Sequence, residues 1–181
     1  MTCIVGMIKN GTVYIGGDSA GSSNYSMTIV SNPKVFILQK EFVIGYTSSF
    51  RMGQIIENDL VIPSRAKDMN VYRFMTTVFI DALRDCLKKC GWAEKEKDRE
   101  IGGTFLVGYC GRLFTVQDDF SVLESLDLYD AVGSGCYIAL GSLHSTTGTP
   151  IKRIEKALEA AAKFTPSVEG PFHIRALKWK E

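Results

Sequence analysis

Residues 2–19 run Thr2-Cys3-Ile4-Val5-Gly6-Met7-Ile8-Lys9-Asn10-Gly11-Thr12-Val13-Tyr14-Ile15-Gly16-Gly17-Asp18-Ser19. Residues 2–9 are rich in Ile and Val, which suit a pleated, buried surface. Asn10-Gly11 supplies the two residues that tolerate positive φ at both centres of a tight hairpin turn. Residues 12–17 return as a second strand, and Gly16-Gly17-Asp18-Ser19 stops it. The chain therefore opens on an antiparallel hairpin.

Outward from this hairpin, residues 21–24 read as a polar loop, and residues 35–38 and 42–46 as short strands around Lys40-Glu41. A helix is expected over 50–60, after Ser48-Ser49. A longer one is expected over 71–90, where Val71, Phe74, Met75, Val78, Phe79, Ala82, Leu83, Cys86, Leu87 and Cys90 form one stripe at steps of three and four. Asn70 is its expected N-cap and Gly91 its stop. Residues 93–100 carry charges of both signs and read as a solvated loop. Strands return at 104–109 and 112–116 around Cys110-Gly111. Gly133-Ser134-Gly135 precedes a small-residue helix over 137–144. Another helix starts at Thr149-Pro150, carries Ile151, Ile154, Leu158, Ala161 and Ala162, and stops at Pro166. Residues 172–179 close the chain as a strand. Hairpins dominate, so antiparallel sheet covered by helices is expected rather than a doubly wound fold.

The 181 residues suit one domain, 1–181, with no repeat or linker. Hydrophobic residues make up 45% and charged residues 23%, as in an ordinary globular chain. Lys and Arg number 21 against 20 Asp and Glu, a net charge of +1 that gives no reason to propose nucleic acid or an anionic membrane as a partner. No apolar run approaches a membrane span, and the first residues lack the basic start of a secretory signal. Five cysteines without a framework spacing read as reduced thiols, which implies a cytoplasmic setting.

Thr2, Asp18 and Lys34 carry the chemistry. A threonine at a chain terminus combines a hydroxyl nucleophile with an α-amine whose ordinary pKa of about 7.7–8.0 leaves a usable fraction as free base. An adjacent ammonium favours the alkoxide and disfavours the protonated amine, and a buried lysine requires a counter-charge such as aspartate. Taken singly, each residue has a plainer reading: a strand threonine, a turn aspartate, a surface lysine.

Their spacing resembles the proteasome β-subunits and, more closely, the bacterial HslV peptidases. In that family the terminal threonine is followed by aspartate sixteen residues on and lysine thirty-two on, as Thr2, Asp18 and Lys34 are here. Ala131-Val132-Gly133-Ser134-Gly135 resembles the family's Gly-Ser-Gly segment, which implies that Ser134 orients the nucleophile's amine. The resemblance covers most of the chain. It implies an α+β, four-layer αββα sandwich of two antiparallel sheets, the N-terminal-nucleophile hydrolase fold. It also implies a threonine endopeptidase acting on peptides or unfolded proteins, without metal or organic cofactor, in a homo-oligomeric ring with an unfolding ATPase as a candidate partner. Removal of Met1 would expose Thr2.

Two departures stand out. The family's Asp-x-x-Ser pair falls on Thr165 and Val168, with Ser167 beside them. The family's oxyanion glycine falls near Gly45 and Tyr46, the expected backbone donors. Two other readings stay open: a silent ring subunit, and an amidohydrolase acting on a small amide. Cys3 reads as a buried strand residue, Cys86 and Cys90 as packing residues, and His144 and His173 as lone histidines. Gly16-Gly17 lacks the residues of a phosphate loop.

Overall fold

The computed structural model describes residues 2–23, 26–92, 94–96 and 99–179. The opening hairpin forms as read. β1 (Cys3–Lys9) pairs antiparallel with β2 (Thr12–Gly17), and the turn holds Asn10 at φ 49° and Gly11 at φ 70°. The strands that follow are β3 (Ala20–Ser23), β4 (Ser26–Ile29), β5 (Val35–Leu38) and β6 (Phe42–Tyr46). Helix α1 (Phe50–Asn58) is capped by Ser49. The long helical stripe is interrupted: α2 (Val71–Phe74) passes through a π turn, Met75–Phe79, into α3 (Ile80–Lys89). The Asn70 side chain caps its start, and Gly91 at φ 72° ends it. Then come β7 (Glu94–Glu96), β8 (Arg99–Ile101), β9 (Phe105–Tyr109), β10 (Arg112–Val116), β11 (Val122–Glu124) and β12 (Tyr129–Gly133). Helices α4 (Cys136–Ser145) and α5 (Pro150–Phe164) and strand β13 (His173–Lys178) complete the order.

Two antiparallel sheets dominate, ordered β12-β1-β2-β13 and β11-β10-β9-β6-β5. β1 shows why. Cys3, Val5 and Met7 face one way and pack with Ala139 and Leu143 of α4 and Ile154, Leu158 and Ala161 of α5. Ile4 faces the other way and joins Val13, Ile15 and Val132 against Val35, Val43, Leu106 and Leu113 of the second sheet. The outer face of that sheet presents Phe36, Ile44, Phe105 and Phe114 to Ile55 of α1 and to Phe74, Phe79 and Leu83. A strand buried on both faces reads as a continuous apolar run, as residues 3–8 do. Among the described residues, no helix is long and apolar enough to cross a membrane.

Several sequence expectations need correction. The loop expected over 21–24 belongs instead to a hairpin of β3 and β4, with residues 24 and 25 outside the described residues. Its residues are small, polar and largely exposed, so no apolar alternation marks it. The loop expected over 93–100 contains the paired strands β7 and β8, with residues 93, 97 and 98 outside the described residues. Short charged strands lack the same signal. β11 and β12 were not anticipated, and α1 ends at Asn58 rather than residue 60.

Glycines set how closely the sheets approach. A Cβ on Gly45 would lie 2.6 Å from Ile4 Cγ2 and 2.8 Å from Ile15 Cγ2, side chains of the facing sheet. Gly45→Ala is therefore expected to overpack the interface and cost about 1–3 kcal/mol. A urea titration checks this, and an unchanged midpoint would contradict it.

Candidate active site

The start of β1 and the end of β2 are neighbours in the first sheet, so Thr2 and Asp18 meet although sixteen residues separate them. Lys34 reaches them from the entry to β5, where Tyr46 N–H donates to its carbonyl at 3.1 Å. All three are almost wholly buried. Asp18 Oδ1 accepts from Thr2 Oγ1 at 2.7 Å, Cys3 N–H at 3.0 Å and Lys34 Nζ at 2.9 Å. Its Oδ2 accepts from Ala20 N–H at 2.9 Å and Lys34 Nζ at 3.0 Å. Lys34 Nζ also donates to Ala20 O at 2.6 Å and to Thr2 Oγ1. The hydroxyl of Thr2 thus gives its proton to a carboxylate while an ammonium occupies its lone pair.

The far side of Thr2 is held by the Gly-Ser-Gly segment. Thr2 N–H donates to Ser134 Oγ at 3.3 Å, and Ser134 Oγ lies 3.2 Å from Thr2 O. Gly133 has φ 96°, and a Cβ there would lie 2.3 Å from Thr2 O, so both the backbone angle and the close approach require glycine. Ser167 Oγ, also buried, is 3.2 Å from Ser134 Oγ. Thr165 instead forms the C-cap of α5, and Val168 packs in the apolar cluster under it. Ser167 therefore supplies the hydroxyl contact in a segment without the aspartate–serine pair.

Both expected oxyanion donors, Gly45 and Tyr46, lie in β6. Tyr46 N–H is spent on Lys34 O, and Gly45 lies inside the sheet, paired with Val35 and Leu106. Antiparallel bonding alternates sides, so the Gly45 N–H belongs to the β9 ladder. Thr47 N–H donates to Thr104 O at 3.0 Å, and Ser49 N–H to Thr47 O at 2.7 Å. Between them Ser48 N–H has no partner among the described residues. Ser48 has φ 66°, and its Oγ accepts from Thr104 N–H at 3.2 Å. Nothing in a serine announces a left-handed backbone, so the sequence reading missed this residue.

A cavity of about 300 Å³ opens beside Thr2 and Lys34, with Tyr46, Thr47, Ser48 and Phe50 in its wall. Burial lowers the Lys34 ammonium from its usual range, and the Asp18 charge and hydrogen bond counter that shift. Burial, with Asp18 adding to it, pushes the Cys3 thiol up to about 12, so it stays protonated at neutral pH and is no competing nucleophile. Burial likewise pushes the Tyr46 phenol up to about 12.

The sequence matches no protein-family model and no curated protein. Solved structures do match. Thiobacillus denitrificans BPH, in complex with epoxomicin, is 19% identical at a TM-score of 0.80, covering 99% of this chain and 100% of that one. Eukaryotic HslV from Trypanosoma brucei is 17% identical at 0.70, covering 98% and 99%. Anbu, the ancestral beta-subunit from Yersinia bercovieri, is 15% identical at 0.67, covering 98% and 82%. The chain has the proteasome β-subunit and HslV-like fold.

The charge pair yields a prediction with a definite sign. A lysine whose folded pKa lies below its unfolded one opposes folding while it is charged. That opposition fades as pH rises from the folded value towards the unfolded one, so its contribution to stability rises with pH in that alkaline window. Asp18→Asn removes the charge that holds the Lys34 pKa up, so the window should extend towards neutrality. Breaking the buried pair should cost about 3–5 kcal/mol at pH 7, with more recovered on raising the pH than in wild type. Urea titrations across a pH series test this, and parallel pH profiles for the two proteins would refute it.

Proposed function

We propose that this chain is a threonine-type peptidase of the proteasome and HslV kind, acting through Thr2 once removal of Met1 frees its α-amine. The observation that carries the reading is the contact of Thr2 Oγ1 with both Lys34 Nζ and Asp18 Oδ1 at the edge of an open cavity. In the same proposal, the two sheets and their outer helices form a four-layer αββα sandwich.

The amine of Thr2 takes the hydroxyl proton, directly or through one water, and Oγ1 attacks the peptide carbonyl. Lys34 stabilises the developing alkoxide by charge, and Asp18 keeps Lys34 charged. Ser48 N–H, a donor on the cavity wall without a partner among the described residues, receives the carbonyl oxyanion. The protonated amine gives its proton to the leaving nitrogen as the C–N bond breaks, which leaves an ester on Thr2. Water, deprotonated by the same amine, hydrolyses the ester and releases the acid. Ser134 accepts one amine hydrogen and so directs the lone pair towards Oγ1. None of these steps requires a metal or organic cofactor.

The substrates in this reading are peptides or unfolded proteins, the setting is cytoplasmic, and the assembly is a homo-oligomer. Tyr137, Ile151 and Phe164 stand exposed on α4 and α5, Tyr137 at 85%, and supply apolar area for a second copy to cover.

Protein beginning at Thr2 should hydrolyse peptides and form an epoxyketone adduct at Thr2, read by intact mass. Protein retaining Met1 should do neither, because an acylated nitrogen is no base. Equal activity in both forms, or in Thr2→Ala, would overturn the proposal. Adduct formation without peptide turnover would favour a small-amide substrate. A folded protein that starts at Thr2 and does neither would be a silent subunit.

The assignment of Ser48 makes its own prediction. Ser48→Gly retains the N–H and suits φ 66°, so kcat/KM should stay within about threefold of wild type. Ser48→Val disfavours that backbone and should lower kcat by at least about tenfold. Equal kcat in the two variants would remove Ser48 from the mechanism.

A further inference from the structure

The wall of the cavity beside Thr2 includes a cation, Arg51, that the chemistry at Thr2 does not use. Among the described residues, the cavity lining includes the hydroxyl residues Ser22, Thr47 and Ser49, the Phe50 ring, and two cations, Lys34 and Arg51, but no aspartate or glutamate. Lys34 is neutralised by Asp18 at 2.9 Å. Arg51 is exposed and has no ion-pair partner among the described residues. Its backbone is held in the first turn of α1, where its main-chain N–H donates to the Ser49 side chain at 3.1 Å, and its side chain forms part of the cavity wall. The cavity therefore presents one uncompensated positive charge at its wall.

We propose that this cavity selects an acidic side chain on the acyl side of the bond to be cleaved, with glutamate preferred. The inference rests on the peptidase reading above. When the scissile carbonyl sits at Thr2 Oγ1, the side chain of the residue that owns it is two bonds away and faces the adjoining space. The methylenes of a glutamate can lie along Phe50 while its carboxylate reaches Arg51 and neighbouring hydroxyls. A lysine there would face Arg51 with like charge and no counter-ion.

The test uses protein beginning at Thr2 and fluorogenic peptides that differ only at that position: Glu, Gln, Leu or Lys. At low salt kcat/KM should be highest for Glu, exceeding Lys by at least about tenfold, and the gap should shrink towards about 1 M salt as screening takes hold. Arg51→Glu should reverse the order of Glu and Lys. Lys or Leu cleaved as fast as Glu at low salt, or an unchanged order in folded Arg51→Glu, would overturn the proposal. If the variant fails to fold, the salt dependence in wild type decides: a Glu preference that survives high salt counts against Arg51. Epoxyketone labelling of wild type separates the two levels of argument. An adduct at Thr2 with flat selectivity refutes the selectivity alone. No adduct and no turnover refute the peptidase reading, and the selectivity with it.

Discussion

A lysine ammonium buried between two sheets is the constraint to which much of this structure answers. Unpaired, such a charge costs several kcal/mol. Here four acceptors surround its three N–H donors: both oxygens of Asp18, the carbonyl of Ala20 and the hydroxyl of Thr2. Each acceptor is fixed by something else. Asp18 is pinned by the Cys3 and Ala20 N–H groups, so it stays in place whatever the lysine does. This is asymmetric support. Without Lys34, the carboxylate keeps two backbone donors and a hydroxyl. Without Asp18, the ammonium keeps only neutral acceptors.

That pair also explains why small residues gather at one end of the sheets. Lys34, Thr2 and Asp18 come from three strand ends, which can converge only where the backbones crowd. Gly17 sits where a Cβ would strike Ile4, and Gly135 where one would strike Cys3. Gly133 is pressed against the Thr2 carbonyl. The glycines around the site therefore serve close approach as much as turning, and the apolar cluster between the sheets holds them to that distance.

What the sequence disclosed follows from which forces leave a pattern. The Asn10-Gly11 turn, the apolar run of β1, the stripe from Val71 and the Thr149-Pro150 start were legible because turn chemistry and burial select residue types. The joint spacing of Thr2, Asp18 and Lys34 pointed to a site through its resemblance to the proteasome and HslV pattern, since each residue alone has a plainer reading. The β3–β4 hairpin was not legible, since a mostly exposed ribbon of Ser, Gly and Thr buries too little to impose alternation. Ser48 was hidden because its left-handed angle is held by tertiary contacts with Thr104 rather than by its own preference. Ser167 was visible only as a neighbour of Thr165 and Val168, because its partner, Ser134, lies 33 residues away in sequence.

The geometry around the Thr2 nitrogen bears on how such a site is readied. That nitrogen already donates to Ser134 Oγ while acylated by the preceding residue. A free amine has two hydrogens and one lone pair. If Ser134 keeps accepting one hydrogen, the lone pair remains available on the side of Oγ1, where the proposed reaction needs its base. Ser134 has one proton of its own to give, and both Thr2 O and Ser167 Oγ lie at 3.2 Å to take it. Its acceptor role towards the amine can therefore persist before and after processing. Freeing the amine then needs no rearrangement of the hydroxyls around it. In the proposed reaction, the fold already holds Thr2 Oγ1, the Lys34 ammonium and Ser134 in place, and cleavage of the bond before Thr2 would supply the base.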